Sequence, residues 1–199
     1  MRKTYLVVCF AVLALITTAS AQRVDIAFGM GGVVSPDLES GDTEHTIQKV
    51  GGGTYPAFSV NYLMWKNLGV NGQVAWRASR NNYFGQLPYR PIFYDFNAVY
   101  APPLGKYFAA NLMAGIGAQS SRFYQGYYDC GFTGCTNYTS SNHFLTHLGA
   151  GLNMYVHGSF FVRPEAHMYF VNNNEEFSSG RVNRYGVSIG YSFGREEEY

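Results

Sequence analysis

The chain carries little charge. Lys, Arg, Asp and Glu make up 14% of its 199 residues, against about 25% in an ordinary soluble domain, so a surface wetted on all sides is poorly provided for. The charges nearly cancel, 14 basic residues against 13 acidic, which leaves no electrostatic footprint for nucleic acid. Cysteine is scarce, with three residues in all. No further Cys or His lies within "CGFTGC", Cys130 to Cys135, to complete a metal site. After Ala21 no apolar run is long enough for a membrane-spanning helix, and no stretch keeps a helical period. The glycine clusters at Gly29 to Gly32 and Gly51 to Gly53 lack the strand-loop-helix setting of a nucleotide site. No cofactor or metal is therefore expected.

What the chain has in quantity is Gly (23), Tyr (17) and Phe (15). It opens "MRKTYLVVCFAVLALITTASAQ": two basic residues, an apolar core and small residues ending in Ala19-Ser20-Ala21. This is the pattern of a secretory signal peptide over residues 1–21, with the mature domain spanning 22–199. Val8, before Cys9, is not the small residue that a lipid-modified cysteine requires. In an exported chain, Cys130 and Cys135 read as a disulfide.

Period-two alternation recurs in eight segments: "VDIAFGMGGVV", "TYPAFSVNYL", "LGVNGQVAWRA", "PIFYDFNAVYA", "YFAANLMAGIGAQ", "FLTHLGAGLNMYV", "FFVRPEAHMYFV" and "YGVSIGYSF". Each sets large apolar side chains on one face against mostly Gly, Ser, Asn, Gln and Ala on the other. Three short turns, near Met64 to Asn67, Pro102 to Lys106 and His157 to Ser159, alternate with four long loops at about 35–52, 79–90, 120–142 and 172–183. That rhythm predicts an all-β, eight-stranded antiparallel up-and-down barrel with one plain rim and one elaborated rim. Pro56, Pro91 and Pro164 are expected at strand ends or bulges.

Alternation alone leaves two barrels open, a soluble one with its apolar face inside and a transmembrane one with it outside. The polar face decides between them. A soluble exterior is rich in Lys and Glu, whereas this face holds few charges: Asp25, Arg77, Asp95, Arg163, Glu165 and His167. Tyr62, Trp65, Tyr100 and Tyr107 gather beside the short turns, and Trp76, Tyr94 and Tyr185 toward the loops. Two such belts suit the two interfaces of a membrane.

On these residues the chain resembles the small outer-membrane β-barrels of Gram-negative bacteria, the OmpA/OmpX-like eight-stranded family, over about Arg23 to Phe193. The most specific likeness is the last strand, where Gly186, Ile189, Tyr191 and Phe193 are similar to the signal read by the barrel-insertion machinery. Family members usually finish on that aromatic residue. Here "GREEEY" follows, leaving Phe193 or Tyr199 for the part. The resemblance implies a monomer in the bacterial outer membrane, in contact with lipid and lipopolysaccharide, with an interior largely filled by side chains. It implies a structural or surface-interaction role, adhesion-like, in which the Tyr-rich third loop meets an extracellular ligand. A peptidoglycan-binding activity is not carried over.

Two constellations invite chemistry. Arg163, Glu165 and His167 share one face of the seventh strand, where Glu165 could orient His167 as a general base. The favoured alternative is an ion network with Asp25 and Asp95 that satisfies buried charge. In "SSNHFLTH", Ser141, His143 and His147 could serve a lipid-modifying barrel enzyme, but His147 falls on the inward parity and Ser141 in a loop. A soluble periplasmic barrel binding a ligand is the remaining alternative.

Overall fold

The computed structural model describes residues 22–35, 52–65, 67–83, 87–131, 134–172 and 180–195. The segment read as a signal peptide and the acidic tail Glu196 to Glu198 lie outside them, as do most of the first loop and the middle of the fourth.

All the regular structure described is β: β1 (Arg23–Val34), β2 (Thr54–Trp65), β3 (Leu68–Trp76), β4 (Asn81–Tyr83), β5 (Leu87–Tyr100), β6 (Phe108–Gly131), β7 (Gly134–His157), β8 (Phe160–Val171) and β9 (Arg181–Phe193). Every pairing is antiparallel. The pairings β1–β9 and β3–β5 close eight strands into a ring, and the three-residue β4 is a flap on the outer end of β5. Among the described residues the ring itself has no free edge, which is the condition for a sheet to stand in lipid.

The alternation sorts side chains as its period requires. On β1, Asp25, Ala27 and Gly29 point into the ring while Ile26, Phe28 and Met30 are exposed outside. On the last strand Ser188 and Ser192 are buried while Val187, Ile189 and Phe193 are exposed, Ile189 to 65%. Large apolar residues turned outward around the whole circumference need a solvent other than water. The small inward residues answer a steric demand. A Cβ at Gly190 would strike the Phe161 ring and the Ile26 carbonyl oxygen.

Several expectations are corrected. The third long loop, 120–142, is mostly strand: β6 and β7 are 24 residues each and pair almost to the tip, where Cys130 faces Cys135. A disulfide joins the two cysteines. The second loop begins as the β4 flap, and β5 starts at Leu87. The last strand starts at Arg181, which shortens the fourth loop. Pro164 stands inside β8, where the β7–β8 ladder is interrupted between the Gly151–Glu165 and Met154–Val162 pairs. A residue without an N–H is tolerated there because no ladder bond is asked of it.

The inward face is also less uniformly polar than the sequence suggests. At the loop end Tyr55, Tyr89, Phe93, Leu145 and Tyr169 are fully buried and pack with Val33, Val171 and Val182. At the turn end Ala27, Ala109, Tyr155 and Phe161 form a second apolar cluster.

Candidate functional site in the barrel interior

Between the two apolar clusters lies an ionic layer built from inward positions of β2, β3, β5, β7, β8 and β9. Its centre is Glu165. The Arg163 Nε donates to Glu165 Oε2 at 3.0 Å, and Arg184 Nη1 donates to Oε1 at 2.9 Å. Arg163 also reaches Ser59 Oγ across the ring, 2.7 Å from its Nη2. One carboxylate thus answers two guanidiniums in a space from which water is largely excluded, where an unpaired charge would be costly.

From Glu165 the layer continues through two histidines. His167 Nε2 lies 3.5 Å from Glu165 Oε1, and His167 Nδ1 lies 2.9 Å from His147 Nε2. The other nitrogen of His147 lies 2.8 Å from Asn97 Oδ1 and 3.2 Å from Asp95 Oδ1. Asn97 in turn donates to Asp95 Oδ1 at 2.5 Å and to Asn71 Oδ1 at 2.8 Å, and Asn71 donates to Asn61 at 2.7 Å. The rings of His147 and Tyr169 stack at 4.8 Å, and Tyr169 stacks on Phe93 at 4.9 Å. The ionic layer is thereby tied to the aromatic cluster above it.

Of the six charges singled out in sequence, four meet here: Asp95, Arg163, Glu165 and His167. Asp25 does not join them. It lies nearer the turn end, accepting from Arg23 at 3.0 Å and from Ser192 Oγ at 2.7 Å, and the Tyr155 hydroxyl lies 3.3 Å from Ser192. Arg77 stands at the loop end, 6.0 Å from the Tyr89 ring centroid. Shared inward parity put all six on one face, but parity carries no height, and the stagger of a closed barrel separates them along its axis.

Arg184, His147 and Asn97 are among the members of the layer outside the six charges singled out in sequence. Arg184 lies outside the segment "YGVSIGYSF", because the last strand begins four residues earlier, at Arg181. Counted back from Ser188 and Gly186 it falls on the inward face. His147 was assigned that parity but not to this network. Asn97 shares the inward parity of Asp95 on β5, and alternation alone names no partner for it.

The arrangement pairs buried charge around Glu165, with His167 beside its carboxylate. No serine or threonine hydroxyl bonds to His147 or His167 among the described residues. Ser141 and His143 do meet, Ser141 Oγ lying 3.0 Å from His143 Nε2. The structure corrects the placing of Ser141 in a loop: it belongs to β7, opposite Ser121. Both side chains share the inward parity of Leu145 and His147, away from the lipid, and His147 is engaged in the ionic layer instead.

At the turn end the chain doubles back after Phe193. Gly194 has φ +72°, a conformation that suits glycine. It brings the Arg195 guanidinium 3.5 Å above the Tyr155 ring, with bonds to the carbonyl oxygens of Gly158, at 2.6 Å, and Lys106.

A closed antiparallel ring with an apolar outer wall and a layered interior defines an integral β-barrel of the outer-membrane type. The chain belongs to the family of outer membrane protein β-barrel domains, whose profile matches residues 7–193. That family resides in the bacterial outer membrane. Among solved structures, the chain is similar to Neisserial surface protein A, with a TM-score of 0.60 at 9% identity over 87% of this chain and 97% of that one. It is also similar to a major outer membrane protein of Thermus thermophilus, at 0.57 and 12% over 87% and 100%. A third is Ail, the attachment invasion locus protein of Yersinia pestis, solved with the heparin analogue sucrose octasulfate, at 0.54 and 15% over 86% and 97%. At such identities the likeness is one of fold. No curated protein matches the sequence.

Proposed function

We propose that this protein is a structural or surface-interaction barrel, adhesion-like and without enzymatic activity, that reaches the outer membrane as a monomer. Residues 1–21 direct its export, and the last strand, through Gly186, Ile189, Tyr191 and Phe193, is read by the insertion machinery. The observation that carries the reading is the β6–β7 hairpin. Its 24-residue strands far exceed the about 9–11 residues a tilted strand needs to cross a bilayer. The surplus is a disulfide-closed arm presenting Tyr127 and Tyr128, 65% and 70% exposed. Tyrosine offers large contact area at low entropy cost, a property of recognition surfaces. Ail, named for attachment and invasion, shares the architecture.

The ionic layer, with apolar side chains stacked above and below it, supports a lumen that does not conduct. Cells displaying the protein are expected to adhere to a responsive surface at least several-fold better than cells displaying a version whose hairpin is cut back to Ser121 and Ser141. Equal adhesion across a panel of surfaces would count against the arm. Large, stable conductance in planar bilayers would overturn the closed lumen.

A second reading rests on the Ser141–His143 pair, as the nucleophile and base of a lipid-modifying enzyme. Measurable deacylation by the purified protein, abolished in Ser141→Ala, would replace the first reading with this one.

A further inference from the structure

Arg90 on β5 and Arg122 on β6 stand directly opposite each other across the sheet. They share the parity of Ile92 and Phe96 on one strand and of Leu112 and Ile116 on the other, so both lie on the outer wall. Like charges directly opposite destabilise a sheet unless something answers them. Among the described residues nothing anionic does. Arg90 donates to the Ala78 carbonyl oxygen at 3.1 Å, and Arg122 lies over the Tyr138 ring at 4.9 Å. The Nε of each is shielded from solvent without a partner. Arg80, from the connection after β3, adds a third guanidinium 3.7 Å above the Tyr124 ring, beyond Arg122. The acidic side chains described, Asp25, Asp95 and Glu165, are all buried inside the barrel.

Height along the barrel identifies what these arginines meet. The outward residues of β5 from Ile92 to Tyr100 are apolar or aromatic, a length that matches the hydrocarbon crossing of one strand. Arg90 is the next outward residue toward the loops, at the level of the outer-leaflet headgroups. Below it the wall is open to acyl chains, with Phe96 61% and Ile116 56% exposed. Guanidinium forks match phosphate oxygens two at a time, and basic clusters at this depth recognise lipid headgroups.

We propose that Arg90 and Arg122, with Arg80 above them, bind the phosphate groups of an outer-leaflet glycolipid of the lipid A type, whose acyl chains lie on the apolar wall below. The site is on the barrel wall and does not depend on the adhesive reading of the hairpin. Phosphate between the two arginines converts a repulsive cross-strand pair into a bridged one, and the apolar wall favours a phosphorylated lipid over a free anion.

The test uses the full-length protein from membranes, in zwitterionic detergent. It is titrated with lipid A carrying both phosphates and with the same lipid after its phosphates are removed. Retained lipid is counted by native mass spectrometry, and folded barrel is followed by gel mobility before and after heating. The wild type is expected to bind the phosphorylated lipid at least tenfold more tightly, and R90Q/R122Q to lose that preference. R90K/R122K is expected to fall between, and R80Q to lose only a few-fold. Without lipid, R90Q/R122Q should melt at the same temperature as the wild type or higher; with phosphorylated lipid, the wild type should melt higher. A purely structural pair would not reverse that order. If the double variant does not refold, R122Q alone carries the comparison. Equal binding of the two lipids by the wild type, or unchanged binding by R90Q/R122Q, would overturn the site. Displacement by inorganic phosphate at concentrations comparable to the lipid's would make it a free-anion site and overturn the lipid assignment.

Discussion

Two pairs of arginines stand in contrasting places. In the middle of the lumen Arg163 and Arg184 converge on Glu165 within 3.0 Å. On the outer wall Arg90 faces Arg122, with no carboxylate among the described residues to meet either. In the interior an unpaired charge is costly, because the surrounding side chains bury it. At the headgroup level it is tolerated, because counter-charge there comes from the membrane itself. Paired arginines therefore report on what holds the barrel together, and unpaired ones on what surrounds it.

The largest expected effect breaks the interior side of that comparison. Replacing Glu165 by Gln leaves Arg163 and Arg184 without a carboxylate, and removing one partner of a buried ion pair costs about 3–5 kcal/mol. The urea midpoint of the folded form, read by gel mobility without boiling, should fall accordingly. An unchanged midpoint would mean that the layer is not the barrel's electrostatic keystone.

Next in size is a purely steric test of the same lumen. Gly190→Val places methyl groups against the Phe161 ring and the Ile26 carbonyl oxygen, and overpacking of this kind costs about 1–3 kcal/mol. Measured beside Glu165→Gln, it separates loss of charge pairing from loss of fit.

Smaller still is Arg195→Ala, which removes the contact over Tyr155 and the bonds to Gly158 and Lys106. A partly exposed cation–π contact with carbonyl bonds is worth about 1 kcal/mol, so the midpoint should drop slightly. Proteolysis of the C-terminal tail should accelerate, because the residues after Phe193 lose their anchor.

The smallest effect has the opposite sign and belongs to the outer wall. In detergent without phosphorylated lipid, R122Q should stabilise the barrel by about 0.2–1 kcal/mol through relief of the cross-strand repulsion. A destabilisation there would show that Arg122 is held by the protein and not by the membrane, and would erase the contrast between the two regions.

Much of this architecture is legible in the chain. The strict period of two in "YGVSIGYSF", Tyr185 to Phe193, assigns Ile189 outward and Ser188 inward, and both are found so. The scarcity of charge on the second face already argued for lipid outside. The end of a strand is less legible than its face: residues 120–142 are polar and Tyr-rich, as loops are, yet they pair with each other well beyond the membrane. Backbone pairing depends on a partner at the right register, and a polar strand in water leaves no apolar stripe to betray it.

The site was legible in composition and not in grouping. Parity placed Asp25, Arg77, Asp95, Arg163, Glu165 and His167 on one face, and that is as far as a one-dimensional pattern goes. Which of them meet depends on the stagger of eight strands around a closed ring. That stagger brings Arg184 to Glu165 and His147 to His167, leaves Asp25 with Arg23 and Ser192, and sends Arg77 to the aromatic end. The sequence by itself determined the all-β class, the inside and outside of each strand and the membrane as solvent, because these follow from local alternation and composition. Only the tertiary structure decided which buried charges are neighbours and which arginines stand opposite each other on the wall, because register and closure set those distances between residues far apart in the chain.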